Sequence, residues 1–248
     1  MKALLLGIPA SHPSLTAELM LRHKGVEYER IDLAPGLHRL LLRAAGFEGI
    51  TVPAIVTRGQ HLQGTLTISR ALDVLEPAAP PLFPRDAERR REVERAELWG
   101  DLVLQPAARR LVWAALKRDR STIASFFEGA RTGIPIGLAV AIAPPFARFA
   151  AYANRATDRS ARRDLAALPQ MLDSVDALVE RGVVGGPEPN AADYQLATSV
   201  RLLMALDDLR PVIEGRAAGR LARERVPDFP GRLPRVFPPE WLSVRPGP

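Results

Sequence analysis

Ser11-His12-Pro13-Ser14, near the N-terminus, put two hydroxyls and an imidazole within four residues. Two kinds of chemistry use such groups. A serine with a histidine base can attack an acyl carbon, provided the imidazole reaches the hydroxyl oxygen at about 3 Å. A serine just ahead of a helix can instead stabilise its loop, or donate a hydrogen bond to an anion held where free N–H groups and the helix dipole favour negative charge. Adjacent residues of an extended loop point in opposite directions, which separates His12 from Ser11, and no G-x-S-x-G turn surrounds either serine. A hydrolase pair is therefore disfavoured, and His12 is assigned to a pocket edge or to solvent. His12, His23, His38 and His61 show no metal-ligand spacing, and neither G-x-G-x-x-G nor a P-loop occurs.

The elements that must position Ser11 follow from the pattern around it. "KALLLGI" (2–8) is a continuous apolar run suited to a strand buried on both faces. After the Pro13 break, Ser14 is expected to cap a helix running to Lys24 and ended by Gly25. "VEYERIDL" (26–33) reads as a second strand and "LHRLLLRAAG" (37–46) as a short helix. "VPAIVT" (52–57) and "QHLQG" (60–64) read as a hairpin around Arg58-Gly59, followed by a helix over 65–75. The proline-rich "EPAAPPLFPRD" (76–86) is a linker. Beyond it only helical periodicity appears, as in "DLAALPQMLDSVDALVERG" (164–182), and "PNAADY" (189–194) sets Asn190 and Asp193 three apart as a capping box. The expected plan is an α/β domain over 1–76, a linker over 77–85 and an all-helical domain over 86–225. A proline-rich tail over 226–248 is expected to lie extended on the surface.

Composition narrows the function. At 248 residues, 47% hydrophobic and 25% charged, the chain has the make-up of a globular protein. The net charge of +6 comes from arginine, much of it in mixed-sign runs such as "RDAERRREVERAE" (85–97) that read as solvated helix faces, so no nucleic-acid partner is expected. The absence of cysteine removes disulfides, thiolate nucleophiles and CxxC chemistry, and a cytoplasmic location is the default. In the most apolar stretch, 133–150, Pro144, Pro145 and Arg148 interrupt the run, so stable membrane insertion is not expected.

The order of elements resembles a thioredoxin-like domain followed by a helical one, the plan of the cytosolic glutathione transferases. The segments that carry the resemblance are "SHPSLTAELMLRHKGVEYERIDL", "DLAPGLHR" (32–39), "TVPAIV" (51–56), "LQGTLTISRALDVLEP" (62–77) and "PNAADY", in family order. It is similar to the theta-like, serine-dependent classes, since Leu6 and Gly7 leave no tyrosine at the end of the first strand. The resemblance implies a transferase that adds glutathione, a co-substrate, to hydrophobic electrophiles, without a metal and as a homodimer. It makes Ser11 the hydrogen-bond donor to the glutathione thiolate, and Pro53 cis. Val52 is expected to pair its backbone with the cysteinyl moiety, Thr65 to hold the γ-glutamyl carboxylate, and His38 with Arg39 to reach the glycyl carboxylate.

Each residue also has a plainer use: Thr65 as a helix cap, His38-Arg39 as a solvated helix start, Val52 as a packed strand start. Gly64 departs from the family, which places Glu or Gln there to accept from the γ-glutamyl amine; Gln63 or a partner subunit is expected to substitute. That departure supports an alternative, a non-catalytic member used for ligand carriage or protein association. Trp99, Leu102, Leu104, Trp113 and the 133–150 stretch are candidates for the electrophile pocket, with core packing as the other explanation.

Overall fold

The computed structural model describes residues 2–34, 37–132, 135, 137–138 and 148–242. Strand β1 (Lys2–Gly7) lies at the centre of a four-stranded sheet. It runs parallel to β2 (Glu27–Asp32) on one side and antiparallel to β3 (Ala54–Thr57) on the other, and β3 pairs antiparallel with β4 (Gln60–Gln63). The β3–β4 hairpin turns at Arg58 and Gly59, both with positive φ (47° and 74°), as a two-residue loop matching strand twist requires. Helices α1 (His12–His23) and α3 (Thr65–Leu75) pack with the face of the sheet that continues into the main core, while α2 (His38–Ala44) covers a small separate cluster of Leu6, Leu42, Phe47 and Ala54. This is a thioredoxin-like sheet-and-helix domain, and the region after it is mainly helical.

Helices α4 (Ala87–Trp99) and α5 (Gln105–Arg118) are joined without a break by a wide π turn, Gly100–Leu104. Gly100 is required there, because a Cβ would stand 2.9 Å from side-chain atoms of Gln195 and Leu196. Then follow α6 (Asp158–Glu180), α7 (Ala191–Met204), α8 (Arg210–Ile213) and α9 (Ala217–Arg225). Helix α7 is the axis of this region, with every residue except Arg201 buried. None of the described helices is long and apolar enough to cross a membrane.

One core joins both parts: Leu5, Met20 and Ile68 belong to the same cluster as Leu104, Leu111 and Leu203, and each such side chain contributes roughly 2 kcal/mol on burial. Buried polar contacts fix the register. Thr16 and Thr198 share a hydrogen bond of 2.7 Å between α1 and α7, and His23 Nδ1 lies 3.0 Å from the Tyr194 hydroxyl. Glu97, fully buried on α4, accepts from Ser69 Oγ (2.7 Å) and Arg70 (2.6 Å) on α3; burial pushes its carboxyl above the usual range against the pull of those two donors.

The expected start of the first helix shifts by three residues, and the tail is more tightly anchored than its composition suggests. The first helix begins at His12 with Ser11 as its cap, and Pro13 sits inside its first turn, where a missing N–H costs nothing. Ser14 is therefore a helical residue rather than the cap. The tail from 226 is irregular, as its prolines dictate, and it is pinned at four points: Val226, Leu233, Phe237 and Trp241 are buried and Leu233 bridges to Leu206, while the described residues between them are half-buried or exposed. Residues 243–248 lie outside the described ones.

The expected capping box is formed. Asn190 Oδ1 accepts from the N–H of Ala192 and Asp193, and the Asp193 carboxylate accepts from Asn190 N (2.9 Å), Gly185 N (2.8 Å) and Arg225 Nε (3.2 Å) while fully buried. Asp193→Ala should cost roughly 3–5 kcal/mol because it strands buried donors and a partly buried guanidinium. Asn190→Ala, which removes mainly the cap, should cost about 1 kcal/mol. Urea midpoints of the two variants test this ordering.

Candidate functional site

The end of β1 turns into α1 through Ile8–Ala10, where Ala10 takes φ 52°, a left-handed conformation uncommon for a residue with a Cβ. This turn delivers Ser11 to the N-terminus of α1 and to the wall of a cavity of about 230 Å³. Ser11 Oγ accepts two hydrogen bonds from Ser14, one from its N–H (3.2 Å) and one from its hydroxyl (2.8 Å). No acceptor for the Ser11 hydroxyl proton is present among the described residues. Gly7 keeps the strand end close beneath: a Cβ there would meet Asp32 Oδ1 and Ser14 Cβ at 3.1 Å.

His38, Arg39 and Val52 line the same cavity. No backbone hydrogen bond to Val52 is formed among the described residues, which leaves its N–H and C=O available to an extended ligand. The Val52-Pro53 bond is cis. Arg39 lies 5.3 Å over the ring of Phe149, itself a cavity residue, and burial together with the adjacent Arg39 lowers the His38 pKa.

Pro53 and Thr65 do not line the cavity. Thr65 is buried at the first position of α3, and its hydroxyl lies 3.4 Å from Asp101 Oδ1, which also accepts from Gln105 (3.1 Å). The π turn carries Asp101 there. A carboxylate thus stands beside Thr65, next to Gly64, whose backbone (φ 84°, ψ 147°) suits glycine. Gln63, expected to replace the missing acceptor, is occupied elsewhere: it accepts from Gly49 N and donates to Thr51 O. Asp101 escaped the sequence reading because it is a lone acid inside the apolar "LWGDLVL"; its interruption of that run was the available signal.

The opposite wall is apolar and comes from the helical region: Trp113 and Leu116 of α5 with Ile123, Phe126, Phe127 and Phe149. Of the pocket candidates named from sequence, Trp113 is there. Leu104 is in the core, Trp99 packs against it, and Leu102 is exposed. Most of 133–150 lies outside the described residues, but Phe149 and Ala150 reach the cavity.

His12 is 3% exposed and lines the cavity, which keeps the pocket alternative of its assignment and removes the solvent-facing one. Its pKa is held well below 6.5, chiefly by burial and then by the charge of Arg109, against a smaller opposing pull from the Gln105 carbonyl. Its Nε2 has no hydrogen-bond partner among the described residues.

Residues 5–80 match the sequence profile of the glutathione S-transferase N-terminal domain. That stretch is thus similar to a glutathione S-transferase N-terminal domain. The whole chain shares the transferase fold. A glutathione transferase from Populus trichocarpa superposes with a TM-score of 0.63 at 16% identity, covering 91% of this chain and 93% of that one. A rice glutathione transferase solved in complex with glutathione gives 0.55 at 17% identity, covering 91% and 82%. A beta-etherase from Sphingobium gives 0.53 at 21% identity, covering 92% and 91%. No curated protein matches the chain by sequence.

The buried imidazole gives this transferase fold a measurable pH response. The unfolded chain takes up a proton on His12 below about pH 6.5 that the folded chain refuses, so stability is present above that pH and falls as the pH drops through this window. His12→Asn should flatten part of that fall in urea unfolding measured across it. His23 and His38, also lowered by burial, contribute in the same direction.

Proposed function

We propose that the protein is a serine-type glutathione transferase that joins the glutathione thiol to hydrophobic electrophiles. The observation that carries this reading is the Ser11 hydroxyl. Both its acceptor positions are filled by Ser14, so its proton is directed away from the helix, at a cavity wall where the α1 N-terminus adds positive potential. A free thiol titrates near 8.5, and a donated hydrogen bond together with that potential favours its charged form. Ser11 stabilises the sulfur as a donor and does not itself attack.

The rest of the tripeptide has matching partners. Val52 offers an unpaired backbone to the cysteinyl residue, and His38 and Arg39 face the glycyl carboxylate. Thr65 with the α3 N-terminus faces the γ-glutamyl carboxylate. Asp101, 3.4 Å from the Thr65 hydroxyl, supplies within the same chain the acceptor for the γ-glutamyl amine that Gly64 lacks. An acceptor at this place speaks against the alternative of a non-catalytic carrier, which rested on Gly64. The thiolate then attacks an electrophile held against Trp113, Phe126 and Phe127; the S–C bond forms as the leaving group departs with its bonding pair, or as the π pair of an activated double bond shifts onto its electron-withdrawing group and takes up a proton from solvent.

Ser11→Asp separates the two jobs of this residue, since aspartate caps a helix but donates nothing. Its melting temperature should stay near wild type, while conjugation of chlorodinitrobenzene should fall on the order of a hundredfold. Millimolar glutathione should raise the melting temperature of the wild type by mass action. No shift with glutathione and unchanged conjugation in Ser11→Asp would overturn the reading.

A further inference from the structure

Helix α5 carries two consecutive arginines with opposite fates. Arg110 makes two hydrogen bonds to the Asp164 carboxylate, at 2.5 and 3.0 Å. Arg109 lines the cavity, is mostly buried, and forms no hydrogen bond or ion pair among the described residues. Asp101 is near enough to act on its charge but not near enough for an ion pair, while Arg110 repels it and burial disfavours it. No Asp or Glu is among the described residues lining the cavity. Leaving a mostly buried guanidinium without a counter-charge is costly, so such a group marks a place for an anion from outside.

Beside Arg109 stands His12, 3% exposed and also on the cavity wall, with no partner for Nε2 among the described residues. Two polar groups from different elements, one at the start of α1 and one on α5, are therefore both short of a partner at the same cavity. Glutathione does not use them in the reading above. Its two carboxylates are taken by Thr65 and by His38-Arg39, and its thiol by Ser11. The anion left over belongs to the second substrate, whose body packs on Trp113, Leu116 and Phe126.

We propose that this cavity selects electrophiles combining an aromatic or apolar body with a carboxylate, and that Arg109 binds the carboxylate while His12 completes the anion site. The assignment of that ligand as a substrate rests on the transferase reading; the anion site itself does not. Arg109 acts in recognition: it holds the acid so that the reacting carbon faces Ser11, and it takes no part in proton transfer.

Two measurements separate these claims. Without glutathione, titration calorimetry with naphthoate and the neutral naphthamide should give about tenfold tighter binding of the acid to the wild type. That preference should disappear in Arg109→Met and survive in part in Arg109→Lys, which keeps the charge but loses the planar fork. With glutathione, ethacrynic acid should show a lower KM than its methyl ester, and Arg109→Met should raise KM for the acid alone. Equal wild-type affinity for naphthoate and naphthamide would overturn the proposal even if the variants fail to fold. A preference that persists in Arg109→Met would overturn it too, as would an equal loss of kcat for acid and ester, which would make Arg109 a thiolate stabiliser. Naphthoate preference in a protein that does not conjugate would uphold the anion site and refute the transferase reading instead.

Discussion

The two hydrogen bonds that Ser14 donates to Ser11 Oγ set the geometry on which the cavity depends. They end the loop from β1, start α1 at His12, and use up the acceptor capacity of the serine, which leaves its hydroxyl proton available to a ligand. Because α1 starts at that point, His12 falls inside the domain contact, Thr16 meets Thr198, and Pro13 takes a first-turn position without loss of a hydrogen bond. Gly7 permits the arrangement, since any side chain there would press on Ser14 and Asp32.

The cavity has two chemical halves because it lies between two kinds of structure. The sheet side contributes a loop, a helix terminus and a strand start, all with free backbone or hydroxyl groups. The helical side contributes mostly side chains of α5 and of the segment around 123–127, which are apolar because the same helices pack on α7. A polar thiol cofactor on one side and an apolar second substrate on the other is the division these surfaces favour. Arg109 is the charged exception on the helical side, and it is mostly buried.

The sheet and its order were legible because β1 is a short apolar run, the β3–β4 turn has a glycine, and Asn190 and Asp193 have capping-box spacing. The start of α1 was misassigned because Ser11 and Ser14 are both acceptable caps and Pro13 looks like a break, though it fits equally well inside a first turn. Burial of the tail was invisible because Val226, Leu233, Phe237 and Trp241 have no periodic spacing. Among the site residues, Ser11, His38, Arg39 and Val52 could be placed by order along the chain. Asp101 and Arg109 could not, because their roles depend on what stands across from them: Thr65 lies 36 positions earlier in the chain, and nothing in "ARRL" distinguishes the arginine that meets Asp164 from the one that meets no acid.

The central claim is that Ser11 donates a hydrogen bond to a bound thiolate. Ultraviolet titration of the thiolate of enzyme-bound glutathione tests it most directly. The account predicts a bound thiol pKa clearly below the free value of about 8.5 in the wild type, returning toward that value in Ser11→Asp while glutathione remains bound. An unshifted thiol in the wild type, or the same depressed pKa in Ser11→Asp, would contradict it.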